Sequence, residues 1–177
     1  VSADNRYRLY INGEMVSWGP AVGDLHHWNY ETLDIADNLN KGTNIISARV
    51  WNYGEYRGAR QISNRTAFIL QGDTKREQIA NTNRTWKVKE DRGYHPISHS
   101  NDEVGGGYIA GATDSIQASC KLRGWKNNRF DDEAWLYAQE IGKGNHRGLN
   151  TWHGTPWLLQ ERSIPPMEQI TEKTPSV

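Results

Sequence analysis

The chain has 177 residues, with 21 basic and 21 acidic side chains and therefore no formal net charge. This length suits one compact domain and is short for two. The balanced charge argues against a nucleic-acid partner or an anionic membrane surface, because both favour a basic excess. No apolar run reaches the roughly 18 residues that cross a bilayer. Eight tryptophans and eight tyrosines argue against intrinsic disorder.

Short runs of β-branched and aromatic residues, separated by glycine and proline, predict an all-β protein. The first element is a β-hairpin over residues 6–16, whose turn is Asn12-Gly13 because both positions tolerate positive φ. Further strands are predicted at residues 29–35, 44–51, 66–71, 85–89, 114–121, 133–141 and 155–161. Side chains alternate between the two faces of a strand, so the strand at 44–51 can place Ile45 or Ile46, Ala48 and Val50 in the core.

Helix content should be low, since no segment carries two or three turns of apolar residues at helical spacing. Residues 34–42 predict a single helical turn, with Asp34 as its N-cap and Gly42 at its end. Short strands with loop-rich connections favour a β-sandwich or jelly roll. We expect one module over residues 1–163, followed by a polar, proline-bearing linker over 164–177.

The residues that could carry nucleophilic or acid–base chemistry are few. Cys120 is a lone cysteine in a run that alternates like a strand, which favours a half-buried structural thiol over a nucleophile. The acidic triplet at 131–133 could supply carboxylates for glycoside hydrolysis, but neighbours on an extended chain point to opposite faces. We interpret this triplet as a turn that anchors Phe130 and Trp135.

Metal binding has weak support in the sequence. His26 and His27 are consecutive, and solvated loop histidines are the simpler interpretation. A calcium site built from loop oxygen atoms has no fixed spacing outside the EF-hand, so the sequence leaves such a site open.

Two aromatic-rich loops, near residues 18–30 and 51–57, are the main candidates for a binding surface. Tryptophan and tyrosine faces can stack on sugars, while neighbouring polar side chains bond to hydroxyl groups. The alternative is that these aromatics plug the ends of the sandwich or face a neighbouring domain. The candidate carbohydrate-binding residues are Trp18, Asp24, His27, Trp28, Trp51, Tyr53, Glu55 and Tyr56.

The order of several motifs resembles the N-terminal β-sandwich of bacterial α-L-rhamnosidases, glycoside hydrolase family 78. The hairpin motif Tyr-Arg-Leu-Tyr-Ile-Asn-Gly at 7–13 is shared with many galactose-binding-like sandwiches. The stretch Phe-Asp-Asp-Glu-Ala-Trp at 130–135 is similar to a family motif. The other similar segments are residues 2–13 as a whole, 18–20, 23–24, 27–28, 39–44, 51–55, 124–125 and 156–165.

The resemblance implies a galactose-binding-like β-sandwich whose parent is a secreted or periplasmic bacterial glycoside hydrolase. In the family, hydrolysis belongs to an (α/α)6 barrel further along the chain, with acidic residues in an inverting mechanism. No catalytic residue can be carried over to these 177 residues. The resemblance also implies that strands preceding Val1 could be missing. A related family module binds rhamnose through calcium, but its ligands match no positions here.

The motifs and the resemblance support three candidate functions. The first is a non-catalytic module that packs on the catalytic domain of the same chain and contributes to the substrate cleft. The second is a carbohydrate-binding module for rhamnose-containing glycans, with or without calcium. The third is an autonomous hydrolase that uses Glu31, Glu55 or Asp131, which is weakest because nothing in the sequence makes these acids converge.

Overall fold

The computed structural model describes residues 1–97, 100, 102–103, 113–146 and 155–168. Within these ranges the chain forms short strands and three single-turn 3₁₀ helices, which confirms the predicted all-β class. The strands are β1 (Ser2–Asp4), β2 (Arg6–Ile11), β3 (Glu14–Gly19), β4 (Trp28–Tyr30), β5 (Ile46–Trp51), β6 (Ala67–Ile69), β7 (Lys87–Val88), β8 (Tyr94–Ile97), β9 (Thr113–Ile116), β10 (Leu136–Tyr137), β11 (Asn145–His146) and β12 (Leu158–Glu161). The 3₁₀ helices are Ala36–Asn38, Gly54–Tyr56 and Glu77–Ala80.

The predicted hairpin is confirmed, and its first strand, β2, is the central strand of a three-stranded antiparallel sheet. In this sheet β2 pairs with β3 on one side and with β5 on the other. The turn residues Asn12 and Gly13 have φ values of 51° and 93°, as a tight hairpin turn requires. A register shift between Leu9 and Tyr10 marks a bulge in the β2–β3 pairing.

The alternation of β2 separates the two faces of this sheet. Tyr7, Leu9 and Ile11 are each at most 1% exposed and form the inner face. Arg6 and Arg8 alternate with these residues along β2 and therefore lie on the outer face. On β5 the inner side chains are Ile46, Ala48 and Val50, as predicted.

A second layer closes the core over the inner face. It contains β1, which pairs with β6 in antiparallel register from Ser2↔Ile69 to Asp4↔Ala67. Ala3 and Leu70 join Tyr7 and Leu9 in the buried cluster. The core is thus enclosed by the β2–β3–β5 sheet and the segments around β1 and β6.

The last described stretch, residues 155–168, which we call the closing segment, contributes a strand to a parallel sheet. Strand β12 pairs in parallel with β4, from Leu159↔Trp28 to Glu161↔Tyr30, and also with β11. A parallel pair joins segments that are distant in sequence. The end of the described chain is therefore anchored beside the first loops of the domain.

Several predicted strands are shorter in the structure. The strand predicted at 29–35 is limited to β4, and the one at 133–141 is limited to β10. The strand at 114–121 ends at Ile116, because a turn comes next in which the Cys120 amide bonds to the Gln117 carbonyl at 3.0 Å. Cys120 is therefore exposed, and the prediction of a half-buried thiol was wrong.

The helical turn predicted at 34–42 is a 3₁₀ helix of three residues, Ala36–Asn38. Its N-cap is Ile35 and its C-cap is Leu39, so the prediction that Asp34 caps the turn and Gly42 ends it was wrong. The Asp34 carboxylate still accepts a hydrogen bond from the Ala36 amide at 3.0 Å. Strands β1, β8 and β11 were not predicted. Of the predicted linker, residues 169–177 lie outside the described ranges. Among described residues, no helix has the length and apolar character needed to span a bilayer.

Candidate functional site

The structure divides the eight predicted binding residues between the core and the surface. Trp28 is in the core at 5% exposure, and its indole N–H donates to the Ala3 carbonyl at 3.2 Å. Its ring is therefore covered by protein. The other seven residues are partly or fully exposed: Trp18, Asp24, His27, Trp51, Tyr53, Glu55 and Tyr56.

Asp24 and His27 form a local pair at a tight turn. The His27 Nδ1 lies 3.0 Å from Asp24 Oδ1, and the His26 amide donates to the same oxygen at 2.8 Å. The hydrogen bond with His27 is the main cause that lowers the pKa of Asp24, followed by the bond from the His26 amide. This pair closes its own turn and does not contact the aromatic side chains of the second loop among the contacts described.

Trp18 and Trp51 share the outer face of the three-stranded sheet with Arg8. Arg8 lies in the central strand directly opposite Trp18 in β3. The Arg8 guanidinium carbon lies 5.7 Å from the centroid of the Trp51 ring, within cation–π range. The structure therefore brings two of the predicted tryptophans to the same arginine, which we call the Arg8 site (Trp18, Arg8 and Trp51).

The other predicted residues of the second loop come directly after Trp51. Tyr53 precedes the 3₁₀ helix Gly54–Tyr56, in which Glu55 and Tyr56 are exposed. The Asn52 side chain accepts from the Gly54 amide at 2.8 Å and fixes the start of this turn. These residues border the Arg8 site from the end of β5.

Further along the same face, Arg49 is enclosed by aromatic residues. Arg49 stacks on Tyr94 at 4.8 Å and on Trp125 at 5.6 Å, and it pairs with Asp91 at 3.5 Å. Burial would raise the pKa of Tyr94, but hydrogen bonds and charge from Lys121 and Arg49 outweigh burial and lower it. The β8–β9 region and residues 121–126 thus cover this half of the face.

Asp4 is a buried carboxylate whose oxygens are fully used by hydrogen bonds. It is 1% exposed. Its Oδ1 accepts from side chains of three residues: Asn5, Asn52 and Ser63. Its Oδ2 accepts from the Asn64 and Arg65 amides and from the Trp157 indole at 3.0 Å. This carboxylate connects β1, the loop at 52–65 and the closing segment.

Glu31 is the second buried carboxylate, at 5% exposure. The Tyr7 hydroxyl donates to its Oε2 at 2.6 Å, and the Ala21 amide donates to its Oε1 at 2.9 Å. Arg162 completes the set with an ion pair to Oε1 at 3.2 Å. Burial, and then the bond to Glu31, raise the pKa of Tyr7 well above its usual range.

The acidic triplet forms the turn that its sequence predicts. The Trp135 amide bonds to the Asp132 carbonyl at 3.0 Å, and the Phe130 and Trp135 rings meet edge to face at 5.5 Å. Asp132 also accepts from Lys87 at 2.7 Å, and this bond is the main cause that raises the pKa of Lys87. The anchoring of both aromatic residues is thereby confirmed.

Metal ligands do not cluster in the described part of the chain. There, no three His, Cys, Asp or Glu side chains lie together in a group that could hold a metal ion. Sites built from amides and backbone carbonyls are a different case, so calcium binding stays a prediction.

A cavity of about 70 Å³ lies beside Asp4. Its walls come from β1, β6, residues 141–144 and the closing segment, and they include Trp28, Phe68 and Trp157. Ligand pockets for small molecules begin at roughly 300 Å³. The cavity is therefore too small for a sugar ring, and the Arg8 site is the better candidate for binding.

Sequence reasoning did not find the arginines of this face. The alternation Arg6-Tyr7-Arg8-Leu9 already indicates that Arg6 and Arg8 lie on the polar side of β2. Tyr94 is 45 residues away from Arg49 along the chain, and Trp125 is further still, so no local pattern signals their contact with it.

The fold and these contacts define an all-β module whose buried carboxylates serve its own structure. A family model, the α-L-rhamnosidase N-terminal domain, matches residues 1–155, so the chain belongs to this family. This confirms the resemblance inferred from the motifs. Comparison with curated proteins gave no match.

A solved structure supports the same assignment. The glycoside hydrolase family 78 rhamnosidase of Bacillus sp. GL1 matches this chain with a TM-score of 0.73 and 25% sequence identity. The match covers 93% of this chain and 16% of that chain. The chain therefore spans about a sixth of the enzyme that it resembles.

Proposed function

We propose that this domain is a non-catalytic module of an α-L-rhamnosidase-like glycoside hydrolase, and that it packs on the catalytic domain of the same chain. A secreted or periplasmic location, and a contribution to the substrate cleft, belong to the same proposal. Membership of the N-terminal domain family supports this role, as does the 16% share of the Bacillus enzyme that the chain covers.

The observation that carries this proposal is how Arg162 holds the end of the described chain. Besides its ion pair with Glu31, Arg162 donates to the Ile164 carbonyl at 2.9 Å and to the Pro165 carbonyl at 2.8 Å. Its own amide bonds to the Tyr30 carbonyl at 3.0 Å. The chain thus leaves the domain in a direction fixed by the core, which suits a module held rigidly against a downstream domain.

The use of the buried acids supports a non-catalytic role. Glycoside hydrolysis needs two carboxylates that face a sugar across several ångströms. Asp4 and Glu31 are closed off from solvent and bonded to the protein itself, while Glu55 and Asp131 are on exposed turns. None of these four is described in contact with another acid.

Exposed apolar residues support packing against another surface. Leu136 is 75% exposed and Val88 is 46% exposed, and they are directly paired between β10 and β7. Large contiguous apolar patches mark contact surfaces, and this exposed pair could form part of one.

Hydrolysis of p-nitrophenyl α-L-rhamnopyranoside tests the proposal. We expect the 177-residue chain, shown to be folded by near-ultraviolet circular dichroism, to release no p-nitrophenol above buffer. Turnover that scales with protein and disappears in a Glu55→Gln or Glu31→Gln variant would assign the activity to this domain and overturn the proposal.

The second candidate function is carbohydrate binding, which the Arg8 site favours. This site combines two partly exposed tryptophans with an arginine, a set that can stack on a sugar and bond to its polar groups. Titration calorimetry with L-rhamnose, with and without calcium, tests it. Saturable heat that is lost in Trp18→Ala or Trp51→Ala would support binding. The control variant Tyr137→Ala, which removes an exposed ring elsewhere, should keep this heat. If folded protein gives no heat of binding with L-rhamnose, rhamnose binding is excluded.

A further inference from the structure

We propose that the Arg8 site binds the carboxylate of an acidic sugar, a uronate, with the flanking tryptophans as stacking surfaces. The inference rests on the second candidate function and specifies its ligand class. It is based on three features of the outer sheet face, namely the unpaired state of Arg8, the charge of the surrounding face and the orphan polar atoms beside it.

Arg8 is a half-buried cation without an acidic partner among the described residues. Its guanidinium contacts the Trp51 ring, and no described carboxylate lies within ion-pair distance of it. Its Nε is buried and has no hydrogen-bond partner, whereas its terminal nitrogens are not among the buried unpaired atoms. With no described hydrogen bond or ion pair, the two terminal nitrogens form a fork that matches the two oxygens of a carboxylate.

The outer face has an excess of positive charge, although the whole chain has none. Arg6, Arg8 and Arg49 come from the outer positions of β2 and β5. Of these, Arg49 pairs with Asp91, and Arg6 donates to the Pro20 carbonyl. Among the described contacts of the face, Asp91 is the acid that pairs with these arginines, so an anionic ligand would be attracted to the remaining charge.

Among the described residues, two further polar atoms of this face are buried without a partner. They are the Trp18 indole N–H, directly beside Arg8 in the sheet, and the Ser47 hydroxyl on β5. A buried polar group without a hydrogen bond loses the bonds to water that it makes when exposed, which destabilises the fold. Such atoms need an explanation, and a small rearrangement around a bound polar ligand would supply acceptors for them.

Aromatic rings on both sides of Arg8 favour a sugar over an inorganic anion. Trp18 on β3 and Trp51 on β5 are partly exposed and lie on the two strands that flank Arg8. Among the described contacts, the Trp51 ring is the one that meets the guanidinium. An inorganic anion would use the guanidinium alone, whereas a pyranose ring can also cover an indole face. A uronate combines both features in one residue.

The test compares a galacturonate trisaccharide with its fully methyl-esterified form, by titration calorimetry on the 177-residue chain. The esterified form lacks the carboxylate charge and keeps the sugar rings. We expect saturable binding of the acid, at least tenfold weaker binding of the ester, and a further weakening of acid binding at high salt. Equal binding of both forms would overturn the proposal.

Variants locate the site. Arg8→Gln should weaken binding of the acid about tenfold, and Arg8→Lys should weaken it less, because charge is kept and the fork is lost. Arg84→Gln is the matched control, since Arg84 is an exposed arginine whose ion pair is with Glu140 elsewhere. Loss of binding in the control as large as in Arg8→Gln, with all variants folded, would contradict the assignment.

L-rhamnose and dextran sulfate complete the test. If rhamnose binds and the acid does not, the uronate proposal falls while carbohydrate binding survives. If neither sugar binds to folded protein, the uronate proposal and the carbohydrate-binding function are both wrong. The packing role is tested by a separate experiment. Dextran sulfate bound as tightly as the uronate, with the same dependence on Arg8, would show a general anion contact and overturn the proposal.

Discussion

At the scale of single residues, Asp4 joins segments that are far apart in sequence. Its six hydrogen-bond donors come from the neighbouring Asn5, the loop at 52–65 and Trp157, and none of the donors is a charged group. Three neutral donors to each oxygen compensate for the loss of water around a buried carboxylate. The residue therefore acts as a structural centre and not as an acid for catalysis.

Asp4→Asn should destabilise the domain strongly. In asparagine an NH₂ group replaces one of the two carboxylate oxygens. This NH₂ is a donor, so it would face the donors that now bond to that oxygen. We expect the free energy of unfolding to fall by about 3 kcal/mol, measured by urea denaturation. Asp37→Asn, at an exposed 3₁₀ position, is the control and should leave the midpoint unchanged.

Tyr7 gives a prediction for alkaline pH. Burial, and then the bond to Glu31, raise the pKa of Tyr7 in the folded state. Above about pH 10 the unfolded chain loses this proton while the folded chain keeps it, so the unfolded state binds fewer protons and stability falls as pH rises. The slope from this group is about 1.4 kcal/mol per pH unit.

Tyr7→Phe should remove that slope and should cost about 1–2 kcal/mol at neutral pH, because Glu31 loses a donor. Urea denaturation from about pH 7 to about pH 11 measures both effects. Tyr137→Phe, at a ring that is 65% exposed, should keep the slope of the unmodified protein. An identical slope in Tyr7→Phe and in the unmodified protein would contradict the role given to burial.

At the scale of elements, Gly13 in the hairpin turn can be compared with Gly42 in the loop before β5. Gly13 and Gly42 have φ values of 93° and 97°, so alanine is strained at both. An added Cβ at Gly13 would lie 3.3 Å from the Asn127 side chain, whereas nothing lies within 4 Å at Gly42. We expect Gly42→Ala to cost about 1 kcal/mol and Gly13→Ala to cost more, as thermal denaturation will show. A larger cost at Gly42 would contradict this account.

The closing segment depends on the Glu31–Arg162 pair. Arg162→Gln leaves a buried carboxylate without its cation and should cost about 3 kcal/mol. The double variant Glu31→Gln, Arg162→Gln should cost clearly less than the sum of the two single variants, because the pair is removed together. Additive costs in urea denaturation would show that the two residues do not act as a pair.

The sequence predicted those elements whose pattern is local. Asn12-Gly13 and the alternation in β5 were sufficient for the central sheet. Strand β1 was missed because Ser2-Ala3-Asp4 is short and polar, and its burial depends on the distant β6. Strand β8 contains Pro96, which argues against a strand from sequence alone.

The candidate site was predicted in part. Trp18 and Trp51 do meet at one arginine, whereas Trp28 faces the core because β4 is covered by β1 and β12. Whether a tryptophan in an aromatic loop points inward depends on contacts across the chain, such as that between Trp28 and Ala3. The role of Arg8 could not be predicted, because the lack of an acidic partner among the described residues is a property of the folded sheet.

At the scale of the whole molecule, the central claim is that this module packs on a downstream domain of the same chain. The family assignment and the small share of the Bacillus enzyme that the chain covers fit this claim. Packing against a partner domain stabilises a module by linkage, since the partner contacts only the folded form. The melting temperature of the module is therefore the property that reports packing.

The most direct measurement is differential scanning calorimetry of the 177-residue chain and of the longer parent polypeptide. The Asp4→Asn variant of each identifies the transition that belongs to this module. We predict that the module melts at a higher temperature in the parent than alone. Melting at the same temperature in both, with the transition assigned by Asp4→Asn, would contradict the claim that it packs on its neighbour.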